Sequence, residues 1–297
     1  MRENHDFSEP AYPSLTASDR RLGNSCVVLG WIHWRMMIKS LISEVSRPLA
    51  TALLLAAGRG ARMRPLTDTT PKPLLDLRGQ PLMQWAMQGL QRGGVSHLVI
   101  NTAWMGEQIS QYFGPVFETV GQAPMHLHYS QEGVDFGDAL ETAGGIVRAL
   151  PQLDGVFWVA AGDVFAPDFV FSTEAFERFK TSPQLAHIWL VLNPAHNPGG
   201  DFGLSADGLA LNLPKLAVAA AGQELPRYTF STIALYKRAF FEAAWCDIPA
   251  GNPAGAKAPL AAMLRAAMDN GAVSASLYTG AWTDVGTPER LAQLNAA

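Results

Sequence analysis

The chain has 297 residues, 48% hydrophobic and 16% charged, which is enough apolar surface for one large or two small globular domains. A formal charge of -4 supplies no basic field for a nucleic-acid backbone, so any nucleotide is expected as a small molecule and not as a polymer. The only cysteines, Cys26 and Cys246, stand far apart in sequence, which argues against a disulfide framework or a cysteine zinc site and fits a reducing cytoplasm.

The first 49 residues mix Pro, Ser, Asn and both signs of charge and read as a poorly ordered N-terminal extension. Their apolar patch at 26–34 is broken by Gly30 and is too short to span a bilayer. Arg2 is followed by Glu3 and Asp6, unlike the start of a signal peptide, and no membrane association is expected. From Ala50 onward apolar runs alternate with amphipathic stretches. The pattern predicts strands at 51–57, 97–101, 126–130, 156–161, 186–193 and 228–236, and helices at 81–92, 105–113, 141–150, 168–180 and 258–269. This is the order of a doubly wound α/β domain over 50–297, with a mostly parallel sheet flanked by helices. Such sheets bind ligands at the carboxyl ends of strands, where the strand order reverses.

The first predicted strand runs into Gly58 and Gly60, within the stretch LLLAAGRGARMRPLTDTTPKPL at 53–74. Backbone N–H groups at Gly58, Gly60 and Ala61 can face phosphate oxygens in such a turn without side chains in the way. Arg62 adds a planar fork for phosphate and Lys72 a compact charge. The spacing is not that of the common phosphate loop, and Met63 stands where the dinucleotide fingerprint needs glycine. Farther on, the apolar run at 156–161 ends at Gly162-Asp163, placing an acid at the sheet's mouth. Asp163 is the first candidate ligand for Mg²⁺, which favours carboxylate and phosphate oxygens; the alternative is a turn aspartate bonded to its own backbone. His126 and His128 share a strand face, but with no carboxylate partner in the pattern they are read as structural.

Gly58, Gly60 and Arg62, followed by Pro65-Leu66-Thr67 and Lys72-Pro73, resemble the signature of the sugar-1-phosphate nucleotidyltransferases. The segment at 282–287, Trp-Thr-Asp-Val-Gly-Thr, is similar to the stretch that supplies the second metal-binding aspartate in that family. The resemblance covers about residues 50 to 295. It implies Mg²⁺ held by Asp163 and Asp284, with a nucleoside triphosphate and a sugar 1-phosphate as substrates. Arg62, Lys72 and Asp163 become the catalytic set, Arg62 holding the triphosphate and Lys72 reaching the α-phosphate and the sugar phosphate. The segments at 129–132 and 140–145 look like the family's base-reading loop and following helix start, which makes Glu132, Thr142 and Gly144 candidates for nucleotide binding; a plain helix start is the alternative. Asp201 and Ser231 stand where relatives carry acceptor contacts, and Thr232 replaces a glycine common there. Short members that use UTP and N-acetylmuramate 1-phosphate for cell-wall recycling are the leading resemblance. Glucose- or mannose-1-phosphate nucleotidyltransferases are the alternative, and a catalytically silent nucleotide-sugar sensor is a third. A monomer or small homo-oligomer is expected.

Overall fold

Runs of buried apolar residues form the strands, and their pairing produces one large mixed sheet. The computed structural model describes residues 50–214 and 225–296; the extension expected over 1–49 lies outside the described residues. The strands in chain order are β1 (Ala50–Leu55), β2 (Asp76–Leu77), β3 (Gln80–Pro81), β4 (Val95–Thr102), β5 (Val116–Phe117), β6 (Met125–Gln131) and β7 (Val156–Ala161). They continue with β8 (Val164–Phe165), β9 (Ala186–Val191), β10 (Phe202–Leu204), β11 (Ala210–Leu211), β12 (Arg227–Lys237), β13 (Val273–Tyr278) and β14 (Thr283–Asp284). The α-helices are α1 (Leu82–Arg92), α2 (Gly106–Phe113), α3 (Glu132–Phe136), α4 (Glu141–Ala149), α5 (Thr173–Thr181), α6 (Leu260–Asp269) and α7 (Pro288–Ala296).

The centre of the sheet is parallel, in the order β7-β1-β4-β6. β12 lies antiparallel to both β7 and β9, and β13 runs parallel to β9. The chain winds from β1 through β4 to β6, then crosses back to place β7 on the other side of β1. The order therefore reverses between β1 and β7, where Leu55 is in register with Ala161.

Successive residues of the central strands enter two cores. Leu53, Val99, Phe157 and Val159 meet Ile146 and Val147 of α4 and Leu264 of α6 on one face. Leu54, Ile100 and Trp158 meet Met83 and Met87 of α1 and Phe176 and Phe179 of α5 on the other. Burial of both faces is why these strands read as unbroken apolar runs. A smaller cluster of Met63, Leu77, Phe165, Val285 and Leu291 holds the segment after the glycine turn and the last helix against β8. Among the described residues no helix is long and apolar enough to cross a membrane.

Beyond the short strands that the apolar pattern does not reveal, a helix start and a full-length strand depart from the sequence expectation. The helix expected from 168 begins at Thr173, because the Ser172 side chain accepts the Ala175 N–H at 3.2 Å and caps it there. Ahead of that cap, buried Phe169 packs edge-on to Trp189, and Phe171 edge-on to Trp158. β13, rich in Ser and Ala, carries little strand propensity, yet it pairs along its whole length with β9 and buries Val273 and Ala275.

His187 on β9 lies 4.5 Å from Trp189, ring centre to ring centre, and its Nδ1 meets Ser274 Oγ at 2.8 Å. Burial, aided by the charge of Arg178, pushes its pKa from 6.5 down to about 4. The unfolded chain therefore takes up a proton below pH 6.5 that the folded chain refuses. The resulting stability is complete above that pH and is lost as pH falls toward 4. Urea denaturation between pH 4 and 7 should show this loss, and His187→Gln should flatten it.

Candidate active site

The chain leaves β1 where the Ala56 N–H donates to Asn101 Oδ1 at 2.8 Å, and the glycine turn follows. Gly60 has φ 64, and a Cβ there would lie 3.0 Å from Lys72 Cβ and 3.1 Å from Thr67 Cγ2, so the backbone conformation favours glycine and the space around it is tight. Gly58 differs. A Cβ there would meet nothing within 4 Å, and the residue lines an open cleft. Among the described residues no acceptor takes the amides of residues 57–60, which leaves them available to phosphate oxygens. Arg59 lies 3.5 Å above the Trp104 ring, and both Arg59 Nη1 and Trp104 Nε1 donate to the Thr67 carbonyl, at 2.9 and 3.1 Å.

Lys72 is buried on a 3-10 turn (Lys72–Leu74), and its Nζ meets Asp163 Oδ2 at 2.5 Å. Asp163 is placed by β7: the Gly162 N–H donates to the Leu55 carbonyl at 2.8 Å, so the acid emerges beside the end of β1. The β8–β14 pairing sets Asp284 opposite Val164, and the Val285 N–H donates to the Asp163 carbonyl at 2.9 Å. The two aspartates thus occupy adjacent stretches of backbone. Asp284 Oδ1 accepts from Arg290 Nη1 at 2.6 Å and lies 2.8 Å from His196 Nε2.

These groups open on a cleft of about 310 Å³ whose lining includes Gly58, Lys72, Glu132, Thr142, Asp163 and Thr232. A second pocket of about 560 Å³ shares Leu55, Glu141, Thr142 and Thr232 with it, which makes the two one trough. At the floor Glu132 is 0% exposed, with Oε1 accepting from Asn101 Nδ2 and Oε2 from the Leu140 N–H, each at 2.8 Å. Burial raises its pKa against the opposing pull of these two donors. A Cβ on Gly145 would fall 2.6 Å from Oε1, so the packing of α4 onto this carboxylate needs glycine.

A family model for nucleotidyl transferases matches residues 51–297. The chain belongs to the nucleotidyl transferase family. It is 43% identical over 249 residues to an N-acetylmuramate alpha-1-phosphate uridylyltransferase of Neisseria meningitidis, covering 82% of this chain and 96% of the relative. A protein of the same name from Caulobacter vibrioides is 31% identical over 66% of this chain and 87% of its own length. The crystal structure of HddC from Yersinia pseudotuberculosis complexed with GMP-PN shares the fold, with a TM-score of 0.59 at 17% identity over 83% of this chain and 98% of that one.

In this nucleotidyl transferase Gly58, Lys72, Thr142 and Asp163 share the cleft. Ala61 and Arg62 are exposed on the turn beyond it, and Arg62 has no partner among the described residues. Three expected binding residues have other duties. Glu132, expected to read the base, has both carboxylate oxygens engaged inside the protein and joins strand ends to α4. Gly144 packs where a Cβ would lie 2.5 Å from the Ala256 carbonyl, and its N–H already donates to the Ala258 carbonyl at 3.2 Å. Ser231, expected at the acceptor, is fully buried; its hydroxyl donates to the Trp189 carbonyl at 2.7 Å and accepts the Ile233 N–H at 3.1 Å. Its neighbour Thr232, at φ 62, lines both pockets instead. Asp201 does line the larger pocket, with its carboxylate held by Asn197 Nδ2 and the Phe230 N–H.

Sequence reasoning passed over Asn101, Arg290 and His196. For Asn101 a signal existed: an apolar strand closing on a polar residue at its carboxyl end needs a partner for that residue. Glu132→Gln would turn an amide NH₂ toward a donor, Asn101 or Leu140, and leave a buried polar group unpaired. A loss of about 1–3 kcal/mol in urea-measured stability is the expected result.

Proposed function

We propose that this chain transfers the uridylyl group of UTP to N-acetylmuramate 1-phosphate, releasing pyrophosphate and forming the UDP-sugar. The observation that carries the reading is the Lys72–Asp163 pair at the β1/β7 reversal, standing at the head of a trough that continues past Thr142 and Thr232 into a second pocket. The choice of base and sugar is supported by the relatives from Neisseria meningitidis and Caulobacter vibrioides, both of which carry that activity in their names. On this reading the reaction serves the recycling of cell-wall sugars in the cytoplasm.

The acceptor's phosphate oxygen attacks the α-phosphorus of UTP, and the bond from that phosphorus to the bridging oxygen breaks, its electron pair leaving with pyrophosphate. No protein nucleophile is required. What the chain supplies is position and charge. The free amides of residues 57–60 hold phosphate oxygens, and Arg62 approaches the triphosphate from the exposed side of the turn. Lys72, fixed by its partner carboxylate, sits where both phosphates meet and stabilises the charge that builds between them.

Mg²⁺ is the proposed cofactor, held by Asp163 and Asp284. The donor set fits: both are hard carboxylates, and among the described residues Asp163 Oδ1 and Asp284 Oδ2 accept no hydrogen bond. Mg²⁺ takes one or two such carboxylates and completes its shell with water and phosphate oxygens. Bound there, it supplies neutralisation of phosphate charge.

Pyrophosphate release measured with each nucleoside triphosphate and a panel of sugar 1-phosphates tests the reading; UTP with N-acetylmuramate 1-phosphate is expected to give the highest kcat/KM, and a better hexose 1-phosphate would overturn it. Lys72→Ala and Asp163→Ala should fold and lose roughly a hundredfold to a thousandfold in turnover. EDTA should abolish activity and added Mg²⁺ restore it.

A further inference from the structure

The larger pocket is walled mainly by apolar side chains, among them Leu55, Phe202, Phe230 and Leu264, and one cation lines it among the described residues, Arg265 of α6. The guanidinium stacks 4.9 Å from the Phe202 ring centre, and its Nη1 donates to Asn212 Oδ1 at 2.8 Å. Asn212 is held in turn, its Nδ2 donating to both oxygens of Asp269 at 3.1 Å. The fork is thus oriented by a neutral amide, and among the described residues it forms no ion pair. Tyr236 also lines the pocket; it is 0% exposed and its hydroxyl has no partner among the described residues. A buried hydroxyl without a partner is costly.

Two carboxylates share the wall. Asp201 has its oxygens engaged by Asn197 and Phe230, and exposed Glu141 belongs to the junction with the phosphate cleft. Apart from these two acids the lining therefore combines apolar surface with one oriented guanidinium that has no ion pair among the described residues. That combination suits a ligand group bearing one carboxylate on a small apolar body.

We infer that Arg265 determines acceptor specificity by pairing with the carboxylate of a lactyl ether on the sugar, while the apolar wall takes the methyl group of that ether. This rests on the acceptor proposed above. N-acetylglucosamine 1-phosphate is the same sugar phosphate without the ether, so it leaves Arg265 unpaired.

The test is the ratio of kcat/KM for N-acetylmuramate 1-phosphate over N-acetylglucosamine 1-phosphate, with UTP, in the wild type, Arg265→Gln and Arg265→Lys. The wild type should favour the carboxylated acceptor. Arg265→Gln should lower the ratio by roughly tenfold to a hundredfold, mainly through KM for the carboxylated acceptor, and Arg265→Lys, which keeps the charge without the fork, should lower it less. Unchanged UTP affinity reports an intact fold in both variants. If the wild type discriminates and Arg265→Gln keeps the full ratio, or weakens both acceptors equally, the role of Arg265 is wrong while the acceptor reading stands. If the wild type shows no preference for the carboxylated sugar, the acceptor reading falls and this inference with it.

Discussion

A buried carboxylate bonded at both of its oxygens fixes the mouth of this protein. Glu132 takes Asn101 on one side and the Leu140 N–H on the other, and Asn101 in turn takes the Ala56 N–H. Three segments are tied through these two side chains: the end of β1 from which the glycine turn departs, the end of β4, and the entry to α4. A carboxylate with no solvent exposure is expensive unless its acceptors are filled, so any movement of one segment leaves a polar group of another unpaired. Glu141 and Thr142, which border both the phosphate cleft and the larger pocket, follow directly from that entry. The geometry of the trough is therefore set beneath it, by groups that do not need to touch a ligand.

The topology supplies the rest. Because the strand order reverses between β1 and β7, the glycine turn and Asp163 leave the sheet side by side, and a single backbone bond from Gly162 to Leu55 closes the seam between them. The small core around Met63, Phe165, Val285 and Leu291 then brings the return of the chain near its C-terminus against the same edge. Charges alternate along that edge: Lys72 with Asp163, and Arg290 with Asp284. Each carboxylate is held by a cation, and each keeps a second oxygen that accepts no hydrogen bond among the described residues.

Much of this was legible in the chain because the informative features are local. β1, β4 and β7 are buried on both faces and so declare themselves as apolar runs, and the turn at Gly58 and Gly60 is written in consecutive residues. Asp163 could be placed because it ends such a run. What escaped depends on partners distant in sequence. Nothing near Glu132 shows that Asn101, on the neighbouring strand, will meet it, so an acid whose oxygens are engaged inside the protein reads the same as a free one. Ser231 likewise sits beside the half-buried Thr232, and only the register with β9, which turns its hydroxyl onto the Trp189 carbonyl, separates the two. Arg265 falls on the polar side of an ordinary amphipathic helix, and its site exists only because β10 brings Phe202 beneath it.

The claim on which the others depend is that Asn101 and Glu132 act as one unit to hold the mouth. A double-mutant cycle measures it most directly: UTP affinity and kcat/KM of Asn101→Ala, Glu132→Ala and the combined variant, each checked for fold. If the pair is one device, the double variant is scarcely worse than the worse single one, with a coupling of roughly 0.5–3 kcal/mol. Losses that simply add would contradict the account, because the two residues would then be contributing independently.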